Sequence, residues 1–360
     1  MRFIHIADMH FDTSFTTLTN KADLGDLRRL DQRAVFRKVI DYIKQNDIPF
    51  LFISGDLYEH EYIRQSTIEF INNLFKEIAN TQVFISPGNH DPYLNNSFYN
   101  KYYWNENVHI FTQKIDCVEL ENVDIYGYGF GDFYDSNSEI ENIKLKDSGK
   151  INILVTHGTL NGSATMERDY NPISKNKIKE IGFDYVALGH IHKLDYNSEI
   201  NQRIVYPGSL ISLGFDELGE HGMIAGEIQQ NKNIKLQFIP LDNKEFKIIQ
   251  IDATELLSND ELIEKINGIQ INENQYYKIE LIGKRNFEID TKLLEKLIIS
   301  KNIIKIKNFT KLNYNIEQIS NENTLKGLFA REILQLKNEG KIDEDTIEQT
   351  FEIGLDVLEK

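Results

Sequence analysis

Five apolar runs in this sequence each end in side chains that ligate metals or move protons. Phe3-Ile4-His5-Ile6-Ala7 is followed by Asp8-Met9-His10, and Pro49-Phe50-Leu51-Phe52-Ile53-Ser54 by Gly55-Asp56. Val83-Phe84-Ile85-Ser86 leads into Pro87-Gly88-Asn89-His90-Asp91, the run 151–156 into His157, and Tyr185-Val186-Ala187-Leu188 into Gly189-His190-Ile191-His192. An Asn, a His and an Asp side by side gain nothing from a core. They make chemical sense where the Asn oxygen ligates a metal and the adjacent imidazole moves a proton. One such histidine would read as an ordinary core or surface residue; a set at matched positions does not. Imidazoles mixed with carboxylates suit Mn²⁺, Fe or Zn²⁺ better than Ca²⁺. Asp8, His10, Asp56, Asn89, His157, His190 and His192 are too many ligands for one ion. They suit two divalent ions about 3.5–4 Å apart with a bridging carboxylate.

The runs that carry these residues read as strands, and in open α/β sheets ligands bind where loops leave the C-terminal strand ends. Between the first two strands, Arg29, Arg33 and Arg37 recur at helical spacing among Leu30, Ala34, Val35, Val39 and Ile40, an amphipathic helix. Its arginine face could follow a phosphate backbone, giving DNA contacts at Arg29, Arg33 and Arg37. The alternative is a solvated face with acids nearby. Ile68, Ile71, Leu74, Phe75 and Ile78 predict a second helix, and further strands are expected at 108–110, 117–120, 123–128, 203–209, 223–228 and 234–239. The polar, acidic stretch 131–150 is expected to be a surface excursion.

A chain of 360 residues is more than one core usually covers. No apolar run approaches the ~18 residues of a membrane span, and the N-terminal residues enter a strand with no signal-type apolar region. The single cysteine, Cys117, reads as a small apolar residue. A cytoplasmic protein with no membrane partner is expected. The net charge of −16 argues against gripping nucleic acid over the whole surface, while leaving room for a local basic track. Bound cations would neutralise part of it.

Three domains are expected, at 1–244, 245–312 and 313–360. The second reads as a small α/β lobe, with strands at 246–251, 276–282 and 303–306 and helices near 260–266 and 290–298. Lys301, Lys305, Lys307 and Lys311 give it a basic edge or a solvated face. In the third, Leu325, Leu328, Phe329, Ile333 and Leu336 form a helical stripe that Gly340 ends. Ile347, Phe351, Leu355 and Leu358 form another, after the acidic cap Asp343-Glu344-Asp345. Two helices packed together leave apolar flank, to be covered by the lobe, a second copy of this chain in a homodimer, or a partner's coiled coil.

Asp8-x-His10, Gly55-Asp56, Gly88-Asn89-His90-Asp91, His157 and Gly189-His190-x-His192 resemble, in order, the five motifs of the calcineurin-like metallophosphoesterases. Ile4-His5-x-Ala7-Asp8-x-His10-x-Asp12, His157-Gly158-Thr159-Leu160-x-Gly162-Ser163 and Tyr206-Pro207-Gly208-Ser209 resemble the DNA-repair exonuclease branch of SbcD and YhaO type. The resemblance spans about residues 1–240. It implies an α/β fold: a β-sandwich flanked by helices, with a capping lobe over a DNA groove and a C-terminal helical segment that docks on an SbcC-like, SMC-type ATPase. It implies a Mn²⁺-dependent DNA exonuclease with one metal on Asp8, His10, Asp56 and His192 and the other on Asp56, Asn89, His157 and His190. His90 would protonate the leaving oxygen, with Asp91 orienting its ring. One position departs: nuclease relatives often carry a histidine where this chain has Glu59. His60 is adjacent, but the segment reads as an exposed polar helix start. Two rivals are weighed. A phosphatase acting on nucleotides or phosphoproteins fits less well, because Gly55-Asp56-Leu57-Tyr58-Glu59 lacks the Asp-Arg-Gly of the protein-phosphatase group. A non-catalytic scaffold would be expected to have lost ligands, and none is missing.

Overall fold

Alternation of side chains along the apolar runs decides the layering. The computed structural model describes residues 1–15, 24–136, 139–161, 170–313 and 315–359. In order come β1 (Arg2–Ile6), α1 (Leu24–Gln45), β2 (Phe50–Ile53), α2 (Gln65–Glu77), β3 (Gln82–Ile85), the single turn α3 (Phe98–Lys101) and β4 (Val108–Ile110). β5 (Asp116–Glu119), β6 (Val123–Tyr128), β7 (Ile151–His157), α4 (Lys175–Ile181), β8 (Tyr185–Gly189), β9 (Ile204–Val205), β10 (Gly222–Ile228) and β11 (Ile234–Pro240) follow. One sheet runs β11-β10-β1-β2-β3-β4, the other β5-β6-β7-β8-β9.

Successive strand residues point to opposite faces. Phe3, Phe52 and Phe84 of the first sheet therefore share one apolar layer with Ile125, Ile153, Val155 and Tyr185 of the second. Phe3 meets Tyr185 across that layer with ring centroids 4.7 Å apart. The sandwich is made here, and truncating one of these rings to Ala costs roughly 3–5 kcal/mol in such cores. Ile4, Ile6, Leu51 and Ile53 are equally buried, on the face that α1 and α2 cover. Those two helices meet through Phe36 and Phe75, 6.0 Å between centroids.

Two expectations need correction in this unit. Leu30 is 62 % exposed, and Arg28 goes inside instead. Its guanidinium pairs with Asp242 and donates to the Ser212 carbonyl, so the buried charge is compensated. The stretch 131–150 is also no mere surface excursion. It contributes buried Ile140 and Ile143 to the cover of the second sheet, beside Ile178 of α4. Tyr128 ties it down by donating to Asp135 at 2.6 Å. The few apolar residues there are diluted by acids, so local hydropathy hides them.

The chain divides into two compact units, Met1–Phe246 and Lys247–Lys360. From β12 (Glu245–Asp252) onward come α5 (Asn259–Asn267), β13 (Gln275–Ile282), β14 (Lys284–Arg285), α6 (Thr291–Leu297), β15 (Ile303–Asn308) and β16 (Lys311–Leu312). A sheet β12-β13-β15 packs Ile279 and Leu281 against Leu262 and Leu294 of α5 and α6. The chain ends in α7 (Ile316–Ser320), α8 (Leu325–Asn338) and α9 (Glu344–Glu359). α8 stops at Gly340, whose φ of 66° lies in the left-handed region. Asp343 caps α9 by accepting the Thr346 amide at 2.7 Å. The helices have a small core of Ala330, Ile333, Ile347, Phe351 and Leu355. Leu325 and Leu328, expected within the packed stripe, are 65 % and 60 % exposed. Among the described residues, no helix is long and apolar enough to cross a membrane.

Candidate active site

The loops that leave β1, β2 and β3 and the ends of β7 and β8 bring all seven predicted ligands together. Their backbone is forced to do so. Asp8, His10, Asp56 and His190 have φ values of 50°, 49°, 52° and 102°. Non-glycine residues held there cost of order 1–3 kcal/mol each and cluster at functional sites. The turns are tied to one another: Asp8 donates its amide to the Gly55 carbonyl at 3.1 Å, and His10 to the Asp56 carbonyl at 2.9 Å. Gly88 is required because a Cβ there would run into the Asp56 carboxylate. At Gly189, a Cβ would strike the Ser54 carbonyl.

Two donor groups result. Asp8, His10, Asp56 and His192 each offer an atom within 4.8 Å of all the others. His10 Nε2 and His192 Nε2 lie 3.1 Å apart. In the second group, His157 Nε2 is 3.0 Å from Asn89 Oδ1, and His190 Nδ1 is 3.2 Å from the same oxygen. Asp56 Oδ2 faces both groups, 3.7 Å from His10 Nε2 and 3.3 Å from His157 Nε2. The imidazoles are oriented by their other nitrogens. His10 Nδ1 pairs with Glu59 Oε1 at 2.7 Å, His157 Nδ1 with the Ser54 carbonyl at 2.9 Å, and His192 Nδ1 with Glu217 Oε1 at 2.5 Å. Each then turns Nε2 toward the cluster, the arrangement of metal-ligating histidines. This mixed nitrogen and oxygen set fits divalent transition-metal ions.

The charges are strongly coupled. Burial opposes ionisation of Asp56, yet His157, His10 and His90 hold its carboxyl well below the usual range. Burial drives the neighbouring Asp8 upward. Burial also lowers His157 and His192, but Asp56 beside the first and Glu217 beside the second raise each to about 9. His190, buried and close to His157, falls to about 3.

Asp91 is not placed to orient the His90 ring. Its buried carboxylate accepts the amides of Asp56, Leu57 and Gly88 at 3.0, 2.7 and 2.6 Å and the Tyr99 hydroxyl at 2.5 Å. It locks two of the ligand turns together. The ring partner of His90 is Glu59, whose Oε2 lies 3.0 Å from His90 Nδ1. Glu59 is therefore no exposed helix start: α2 begins only at Gln65, and the Glu59 carboxylate spans His10 and His90. Burial opposes its charge, but the two ring donors bring its carboxyl to about 2. Glu217 was not singled out by sequence at all. It takes the His192 ring and the Ser209 hydroxyl, the latter at 2.9 Å, across stretches that no local pattern links. Gly162 and Ser163 of the fourth motif lie outside the described residues.

Arg29, Arg33 and Arg37 do lie on α1, each engaged within the chain. Arg29 pairs with Asp26 at 2.6 Å and Arg37 with Glu77 at 2.6 Å. Arg33 donates to Thr67 at 2.8 Å and covers the Phe70 ring.

The chain is similar in sequence to known proteins. The uncharacterized metallophosphoesterase YhaO of Bacillus subtilis is 26 % identical over 264 residues, 71 % of this chain and 64 % of that protein. The chain thus spans just under two thirds of that relative's length. The SbcD subunit of the SbcCD nuclease of Staphylococcus epidermidis is 24 % identical over 317 residues, covering 78 % of this chain and 79 % of the relative. Its counterpart in Staphylococcus saprophyticus is 28 % identical over 272 residues, with 67 % and 69 % covered. Residues 1–194, which hold all seven candidate ligands, match the calcineurin-like phosphoesterase family, and the chain belongs to that family.

Proposed function

We propose that this chain is a two-metal phosphodiesterase that cleaves DNA, in repair or end processing in the cytoplasm, together with an SbcC-like, SMC-type ATPase. The observation that carries the reading is the single oxygen Asp56 Oδ2 facing two donor groups, with His90 beside them. The two nuclease subunits among its relatives support a nucleic acid as substrate. Asp8, His10, Asp56 and His192 would hold one ion and Asp56, Asn89, His157 and His190 the other, Mn²⁺ in preference to Mg²⁺ because of the imidazoles. Such ions supply an acidified water and neutralise charge developing on the phosphoryl oxygens.

The chain's own residues do the rest. His90 is the proton source for the departing oxygen. In the metal-free chain burial disfavours its charge while Glu59 and Asp56 raise it to about 9, and the Glu59 carboxylate on Nδ1 favours the protonated ring that gives up the proton. Glu59 fixes Nδ1 and leaves Nε2 to the substrate. Asp91 keeps the Asp56 and Gly88 turns in register. The lobe 245–312 is assigned to the DNA groove and the helical segment 313–360 to the ATPase; their separate cores support that division. The test is purified protein with Mn²⁺ on end-labelled duplex and single-stranded DNA beside a phosphomonoester control. DNA cleavage with close to two ions per chain is expected. Preference for the monoester, or activity with one ion or none, would overturn the proposal.

A further inference from the structure

Beside the donor groups lies an open cleft of about 300 Å³, near the low end for ligand pockets. His90 and Asn89 are part of its lining, so it adjoins the proposed chemistry. Its walls are rich in rings. Tyr170 packs on His190 with centroids 5.1 Å apart, and Tyr134 on Tyr170 at 5.7 Å and 31°. The row thus runs from a candidate ligand to a ring that is 53 % exposed. Phe133 and His60, in edge contact at 5.8 Å, line the same cleft. Among the described residues its ionic side chains are Glu59, exposed Glu61 and His90 itself. Both Glu59 oxygens are taken by the His10 and His90 rings, so the carboxylate open to an amino group is that of Glu61. The matching ligand is flat, aromatic, uncharged and bears N–H donors.

We infer that this cleft is a nucleobase subsite, stacking the base of the leaving nucleoside on Tyr170 and Tyr134. The inference rests on the phosphodiesterase reading, which also gives the direction. Water adds to phosphorus, the P–O bond to the departing nucleoside breaks, and that oxygen takes the proton of His90. The departing sugar and base therefore lie on the His90 side, where the cleft is. Stacking tolerates any base, because every base has a π-face. The subsite selects for an unpaired nucleotide with its base turned out of the helix, since a paired base cannot enter.

Dinucleotides with one phosphodiester test this on the full-length protein with Mn²⁺, using thymidine on both sides or an abasic residue on either one. Loss of the leaving-side base is expected to lower kcat/KM roughly 5- to 150-fold. Loss of the other base should matter less. The double variant Tyr134→Ala/Tyr170→Ala should fall by a similar factor on the thymidine dinucleotide and lose the discrimination, while Tyr134→Phe/Tyr170→Phe keeps it. Binding is read separately, from quenching of 2-aminopurine placed on either side in a dinucleotide added to the His90→Ala variant. Turnover with neither discrimination nor quenching overturns the subsite and leaves the hydrolytic reading standing. Tyrosine-dependent quenching without turnover by the unaltered protein does the reverse.

Discussion

Glu59 places one carboxylate oxygen on a metal-type histidine and the other on the proposed proton donor. That division separates two kinds of damage. His90 is assigned to neither ion, although it stands with His10 and Glu59 in a further cluster that could hold one, so His90→Ala is expected to lower turnover about 10²–10⁴-fold while metal content stays near that of the parent. Asp56→Ala removes the oxygen both groups share and should empty or scramble the site. Parallel kinetics and metal analysis distinguish them, and metal loss in the His90 variant would disprove its role. A third residue reports on stability. His5 is wholly buried, 2.9 Å from the Tyr185 hydroxyl and 3.1 Å from that of Ser54. Burial lowers its pKa to about 3. Below pH 6.5 the unfolded chain takes up a proton that folded His5 refuses, so its contribution is complete above 6.5. It is lost toward pH 3 at up to about 1.4 kcal/mol per unit. Denaturant titrations in chelator should show a flatter acid limb for His5→Phe. At this scale the sequence was readable where a clustered residue closes or closely follows its own strand, as with His157 or Asp8. It misled where neighbours in sequence face apart, as His90 and Asp91 do. It was silent where partners are remote, as with Glu217 and His192.

On α1 the arginine row illustrates a different limit. Helical spacing correctly put Arg29, Arg33 and Arg37 near one face, but spacing says nothing of acids arriving from elsewhere. Glu77, at the end of α2, is such an acid. Were each arginine to meet a phosphate, replacing all three by Gln would flatten the dependence of log affinity on log salt by roughly 3. The internal partners lead us to expect a change below about 1, measured by DNA binding across a salt series. A full flattening would show that DNA displaces those partners. Strands were legible because runs such as 151–157 are buried along their whole length. The cover of the second sheet was not, because Ile140 and Ile143 sit alone among acids.

For the whole molecule, the helical pair exposes Leu325, Leu328, Ile353 and Val357. Each of these is more than half exposed. Deletion from about Asn323 is expected to spare Mn²⁺-dependent cleavage by the free protein while abolishing association with the ATPase and any ATP control. Co-purification of full-length and truncated chains with the candidate partner decides the point. Normal binding by the truncated chain would move the docking site elsewhere.

The ligand turns have one more consequence. Each donor group draws on both halves of the sandwich: Asp8, His10, Asp56 and Asn89 follow strands of the first sheet, and His157, His190 and His192 end or follow strands of the second. An ion held there is a rivet through the two sheets. Binding to the folded chain alone adds about 2.7 kcal/mol of stability at a free concentration 100 times Kd. Calorimetry with Mn²⁺ and with chelator should therefore give well-separated melting temperatures, and coincident ones would mean that the sheets need no clamp. A chain deprived of the metal would then hold its fold less firmly as well as lack the ions' chemistry.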